Sequence, residues 1–165
     1  SNLAGGVLIL FSKPFKVGSY ISVSGVEGFV TDINILYTKL NTYDNKAIYI
    51  PNGVASNAVL TNLTQADKRR VDHVFSISYD ADYKNAVAAI NKAIGKIPKI
   101  LHGKGEEPFV RMSAHSSSSI DITVRVWCKT DNYWDVYFDV IEGVRMQFIE
   151  DNIEIPYQQI DVHMK

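Results

Sequence analysis

The sequence predicts a chain of two parts, mainly β and then α+β: a small closed or nearly closed β-barrel followed by a βαββαβ domain. Three observations carry this prediction. Short apolar alternations broken by turn residues fill residues 13–62, with no helical period long enough to cover an open sheet. Two stripes at helical spacing and one unbroken alternation occupy the second half. Between them lies the polar string 63–70, which ends in Lys68, Arg69 and Arg70 and reads as a boundary. The expected domains are 13–66 and 67–165, after an apolar segment 1–12, with the second domain ending at the start of a C-terminal strand.

The elements follow in order. Ile21 and Val23 alternate before Ser24-Gly25, and residues 26–32 resume after it, which is a hairpin pattern. Ile33, Ile35 and Tyr37 are expected to share a face on the next strand, Asp44-Asn45 supplies a turn, and Ile48 and Ile50 alternate before Pro51. Val59 and Leu60 open a last short strand. Residues 71–79 read as a strand through Val74, Phe75, Ile77 and Tyr79. Tyr83, Val87, Ile90, Ile94 and Ile97 then step by four, three, four and three, the stripe of an amphipathic helix capped by Asp80 or Asp82 and ended by Pro98. A strand is expected over 108–112 and a solvated turn over the serine run 116–119, after which Ile120, Ile122, Val124, Val126 and Cys128 alternate without a miss. A helix over 132–150, with Asp131 as N-cap, is expected to bury Trp134, Phe138, Ile141, Val144 and Phe148. Residues 153–162 return as extended chain, interrupted by Pro156 as on an edge strand.

Composition narrows the function classes. A chain of 165 residues with 46% hydrophobic content has material for a core. Its 17 Lys and Arg against 18 Asp and Glu give a net charge of −1, which offers no broad field for nucleic acid. The single cysteine, Cys128, excludes an intrachain disulfide and fits a reducing compartment. Residues 3–11 form an uncharged apolar run, about half of the roughly 20 residues a helix needs to cross a bilayer, and lack the features of a secretory signal. An ordinary buried segment and the lower end of a membrane helix both fit this run.

Residues across the chain decide between them. Asn2-Leu3-Ala4 with Gly5, Gly6, Val7 and Leu8 resembles the lower half of the third membrane helix of the MscS-type mechanosensitive channel family, and Lys13-Pro14-Phe15-Lys16-Val17-Gly18 resembles its exit into the β domain. Val26-Glu27-Gly28-Phe29-Val30 matches the family's Val-x-Gly-x-Val strand, and Ile48-Tyr49-Ile50-Pro51-Asn52-Gly53 its Ile-Pro-Asn-Gly turn. Tyr79-Asp80-Ala81-Asp82, Val124-Arg125-Val126-Trp127 and Ile155-Pro156-Tyr157-Gln158-Gln159 follow in family order. The resemblance implies an Sm-like β domain and a ferredoxin-like α/β domain in a homo-heptameric channel of the bacterial inner membrane. This region would lie on the cytoplasmic side and form a vestibule for ions and small solutes, released when tension opens the pore. Membrane-helix residues Asn2 to Leu8 would be the remnant of the pore helix, so the fragment itself is not expected to conduct. Pro14 and Gly18 would set the turn below the bilayer, with Lys13 and Lys16 either among headgroups or simply solvated, and Gly5-Gly6 departs from relatives that carry an alanine there. Lys68 and Arg69 would lie near side portals as selectivity charges, or in a solvated linker.

Other chemistry finds little support. His73, His102, His115 and His163 lack metal-ligand spacing, so no metal or other cofactor is expected. Asp80 and Asp82 read as helix caps before acid–base catalysts, and Cys128 as core. The Gly103-Lys104-Gly105 string lacks the spacing of a phosphate loop, and Gly25 to Gly28 lacks the basic neighbours of a nucleic-acid clamp. An Sm-like RNA-binding module and a small-ligand regulatory domain are the alternatives from other classes, and an enzyme is not expected.

Overall fold

The computed structural model describes residues 1–164. The chain divides into two compact units, Ser1–Asp67 and Lys68–Lys165. In the first, helix α1 (Asn2–Ser12) precedes strands β1 (Tyr20–Val23), β2 (Val26–Ile33), β3 (Tyr37–Asn41) and β4 (Ala47–Pro51), a short helix α2 (Asn52–Asn57) and strand β5 (Leu60–Asn62). The sheet is antiparallel in the order β4-β3-β2-β1-β5. Ser24 and Gly25 form the β1–β2 turn with φ of 51° and 79°, the left-handed pair that a two-residue hairpin requires.

The fold class is the expected one, but no β4–β5 pairing closes the sheet among the described residues, so the expected barrel is an open five-stranded sheet. Strand β5 is only three residues long, and its neighbourhood is completed by other elements. Ile21, Val23, Val30, Leu40 and Ile50 from the strands pack with Ile9 of α1, Phe15 and Ala55 of α2 in one buried cluster. The strand expected to carry Ile33, Ile35 and Tyr37 together is broken. Asn34 Oδ1 accepts from the N–H groups of Leu36 and Tyr37, both at 2.9 Å, which turns the chain between β2 and β3.

In the second unit, β6 (Lys68–Ile77) leads to α3 (Tyr83–Gly95), β7 (Ile100–Leu101), β8 (Phe109–His115), β9 (Ile120–Lys129), a single 3-10 turn (Thr130–Asn132) and α4 (Tyr133–Glu150). Strand β9 is central: β6 lies along one edge, while β8 and β7 share the other. Strand β6 begins three residues earlier than the apolar pattern indicates because the ladder runs on to Lys68 opposite Lys129. The alternation in β9 appears as expected, with Ile122, Val124, Val126 and Cys128 all buried. Asp82 caps α3 by accepting from Asn85 N–H at 3.1 Å. The buried face of α3 is centred on Ala86, Ala89, Ile90, Ala93 and Ile94, so alanines bring the helix close to its neighbours while Val87 sits at the margin.

Two expectations fail in this unit. Helix α4 buries Val136, Val140, Val144, Gln147 and Phe148, and leaves Trp134, Phe138 and Ile141 exposed. Both stripes satisfy a helical period, and the slimmer valine stripe is the one that lies against the sheet; Asn132, rather than Asp131, takes the N-cap position. The strand expected over residues 153–162 is absent among the described residues. Ile153 is buried and Ser78 N–H donates to Glu154 O at 3.0 Å, but Ile155, Tyr157, Ile160 and Val162 are exposed and Pro156 offers no N–H.

Candidate functional site: a helix seated on the β unit

The apolar run becomes a helix despite its two glycines because those glycines are where it is seated. A Cβ on Gly5 would lie 2.4 Å from Asn52 O and 2.7 Å from Ser56 Oγ; one on Gly6 would lie 2.0 Å from Ile35 O. Only hydrogen fits at either position. Both glycines are buried, whereas Leu3, Val7, Leu8 and Phe11 on the other side are exposed, Phe11 to 91%. The helix thus presents a flat backbone face to the β unit and an apolar side-chain face outward.

The seat is built by Pro51-Asn52-Gly53. These residues are the end of β4 and the first turn of α2, which the sequence pattern had assigned to a simple turn. Asn52 is fully buried and satisfied on three sides. Its N–H donates to Leu36 O at 2.9 Å, its Nδ2 to Asn34 O at 2.7 Å, and its Oδ1 accepts from Thr38 Oγ1 at 2.9 Å. Gly53 N–H donates to Asn2 Oδ1 at 3.0 Å, and a Cβ on Gly53 would meet that oxygen at 2.8 Å. Ser1 Oγ caps α1 by accepting from Ala4 N–H at 3.3 Å. Asn2 and Gly53 therefore tie the first turn of α1 to the first turn of α2.

The far end of α1 is fixed by the other motif. Lys13 takes a left-handed conformation, φ 47°, and its N–H closes on Ile9 O at 2.9 Å, with Pro14 following as a stop. Phe15 inserts into the core at 3% exposure. Lys16 N–H donates to Ser19 Oγ at 3.1 Å, and Gly18, at φ 94°, donates to Val30 O at 2.8 Å. Asn62 Nδ2 reaches back to Pro14 O at 3.1 Å. Lys13 and Lys16 are exposed and form no ion pair among the described residues. Both line an open surface cavity of about 500 Å³ with Ser19, Thr64 and Asp67. At Gly28 a Cβ would stand 2.7 Å from Asn41 O, so this glycine permits close approach of β2 and β3.

Two family models cover this architecture. The mechanosensitive ion channel β-domain matches residues 1–65, and the MscS C-terminal domain matches residues 71–155. The chain belongs to the MscS family of mechanosensitive ion channels. It is 35% identical over 164 residues to a small-conductance mechanosensitive channel of Edwardsiella ictaluri, covering 99% of this chain and 57% of that protein. A counterpart from Helicobacter pylori is 31% identical over 166 residues, and 60% of it is covered. This MscS-family chain therefore spans a little over half the length of these curated relatives. The closed-state crystal structure of H. pylori MscS superposes with a TM-score of 0.92 at 30% identity, covering 99% of this chain and 64% of that one. Arabidopsis thaliana MSL1 shares the fold, at a TM-score of 0.78 and 20% identity, over 95% of this chain and 58% of its own.

Lys68 and Arg69 are both engaged within the second unit. Lys68 Nζ pairs with Glu106 Oε1, and the lysine holds that carboxyl below the usual carboxylate range. Arg69 lies over the Tyr133 ring, 3.8 Å from its centroid. No group of His, Cys, Asp and Glu able to hold a metal occurs among the described residues, and no described helix is long and apolar enough to cross a membrane. Ile35, Asn34 and Thr38 complete the seat of α1; the sequence pattern places Ile35 on a strand face, and Asn34 and Thr38 carry no signal of their own beyond being polar residues among apolar ones.

Proposed function

We propose that the chain is the cytoplasmic, vestibule-forming region of a mechanosensitive channel subunit in the bacterial inner membrane. Seven copies form a ring, with α1 as the inner end of the helix that lines the ion path. The observation that carries this reading is the seat of α1. A helix pressed by its backbone onto the β unit at Gly5 and Gly6, with an apolar face left outward, is suited to pass displacement between bilayer and ring. Tension does more work on the wider conformation and so shifts a pre-existing closed–open equilibrium, releasing ions and small solutes in hypo-osmotic shock. Lys13 and Lys16 sit at the headgroup level with their stems along the apolar surface. Lys68 and Arg69 stand near the side portals, where their engagement by Glu106 and Tyr133 leaves a small effect on ion preference. The complete gene, expressed in bacteria stripped of their own mechanosensitive channels, should restore survival of a sudden dilution. Failure to rescue, with the protein present in the membrane, would overturn the reading.

A further inference from the structure

Strand β8 brings together two soft donor atoms that their spacing in the sequence would separate. Met112 and His115 are three residues apart, and in a regular strand such residues face opposite ways. A bulge changes this. The register of β8 against β9 shifts between Met112 and Ala114, so Met112 lies opposite Ile122 and His115 opposite Ile120. Opposed residues share a face, and Ile120 and Ile122 are two apart, so both side chains stand on one face of the sheet. There His115 Nε2 comes within 3.2 Å of Met112 Sδ.

The pair is open to solvent while its backbone is held. Every residue of β8 except Val110 is exposed, and among the described residues β8 pairs only with β9. Met112 N–H donates to the Tyr83 hydroxyl at 3.0 Å, and Ser113 Oγ, at the bulge, donates to Asp121 O at 3.3 Å. Just beyond His115, Ser116 N–H donates to Ser119 O at 2.8 Å. The Asp121 carboxylate lies on the opposite face of β9, where it accepts from the hydroxyls of Ser76, Ser116 and Ser119 at 2.8, 2.6 and 2.9 Å. The two donors on this face are therefore a thioether and an imidazole, without that carboxylate beside them.

We propose that Met112 and His115 form a binding site for a soft monovalent cation, Cu(I) or Ag(I). A thioether is a weak hydrogen-bond acceptor but a good ligand for such an ion, and a neutral imidazole ligates through the same Nε2. With metal–nitrogen and metal–sulfur bonds of about 2.0 and 2.3 Å, two donors on one ion stand roughly 3 to 4.3 Å apart, so the pair admits the ion by opening about 1 Å at most. The donor set also selects. Zn(II) takes four ligands and Mg(II) and Ca(II) take oxygens, whereas a soft monovalent ion is held by two donors of this kind. The site lies within the second unit and does not depend on the channel reading.

Methyl NMR with isotope-labelled methionine tests it, since the chain gives 3 such signals, from Met112, Met146 and Met164. One equivalent of Ag(I), a redox-inert probe, should shift the Met112 signal and leave the other two in place, and Zn(II) should shift none. Cu(I) in a reducing, oxygen-free buffer should repeat the pattern. Competition against a chelator of known affinity should show Ag(I) binding at least tenfold weaker in Met112→Leu and in His115→Gln. Binding should stay within about twofold of wild type in Met146→Leu and His102→Gln, and because all four positions are exposed, circular dichroism should not change. A Met112 shift that survives His115→Gln, undiminished affinity in either ligand variant, no Met112 shift at one equivalent, or an equal shift with Zn(II) would each overturn the proposal. So would loss of binding in Cys128→Ala, which would assign the ion to the buried thiol.

Discussion

Replacing Gly6 with alanine sets two energies against each other. Helix propensity alone favours Gly6→Ala by about 1 kcal/mol. The new methyl would stand 2.0 Å from Ile35 O and 2.7 Å from its carbonyl carbon, both backbone atoms that no rotamer change can move, so α1 must lift from its seat. Overpacking of this kind costs typically 1–3 kcal/mol, and contact with rigid backbone falls at the upper end, so the loss outweighs the propensity gain. Gly143→Ala is the internal control. It also lies mid-helix, but its Cβ would meet only Ile97 Cδ1 at 3.9 Å and Ala93 Cβ at 4.0 Å, ordinary contact distances. Amide hydrogen exchange followed by mass spectrometry reads both. Peptides from α1 should lose protection by roughly 5- to 30-fold in Gly6→Ala, as expected for about 1–2 kcal/mol net, while peptides from α4 gain protection in Gly143→Ala. Protection of α1 that is unchanged or increased in Gly6→Ala would refute the claim that the glycine pair is a docking face.

Other outcomes follow from the same geometry. Asn52→Leu leaves the Thr38 hydroxyl and the Asn34 carbonyl without their partner and should destabilise the β unit by about 2–4 kcal/mol, read from the urea midpoint of a tyrosine signal. His73 is half-buried with Nε2 3.0 Å from Tyr137 O, and burial lowers its pKa below the usual histidine value near 6.5. The unfolded chain then binds the proton more readily, so this contribution is full above about pH 6.5 and is lost as pH falls through the folded value. The melting temperature of wild type should therefore drop more between pH 7 and 5 than that of His73→Gln. Burial pushes the Cys128 thiol up, so a thiol reagent should leave the native chain unlabelled at pH 8 and label it within minutes in denaturant.

Much of the fold was legible because its strands bury one face. The alternation through Ile122, Val124, Val126 and Cys128 needed no tertiary information, since β9 is central and its inner face packs under both helices. Helix α4 was legible as a helix but not in its orientation. Trp134, Phe138 and Ile141 have the greater apolar bulk, yet Val136, Val140 and Val144 are the residues buried beneath the helix. The C-terminal strand misled because Ile155, Tyr157, Ile160 and Val162 have apolar content without a ladder partner among the described residues. At the candidate site the motif residues make contacts that the motifs themselves do not indicate. Phe15 is buried in the core and Gly18 N–H bonds to Val30 O just beyond the exit of α1. Pro51-Asn52-Gly53 does more than turn the chain, because Asn52 and Gly53 meet α1 across about fifty residues of sequence, a contact that no local pattern encodes.

The central claim is that α1 is held on the β unit so that displacement of one moves the other in a tension-gated channel. Pressure steps applied to membrane patches containing the complete protein test it most directly, comparing wild type with Gly6→Ala. The account predicts tension-activated currents in wild type and a shifted activation pressure in the variant. Wild-type patches silent up to rupture, or a variant with an unchanged threshold despite a loosened α1, would contradict it.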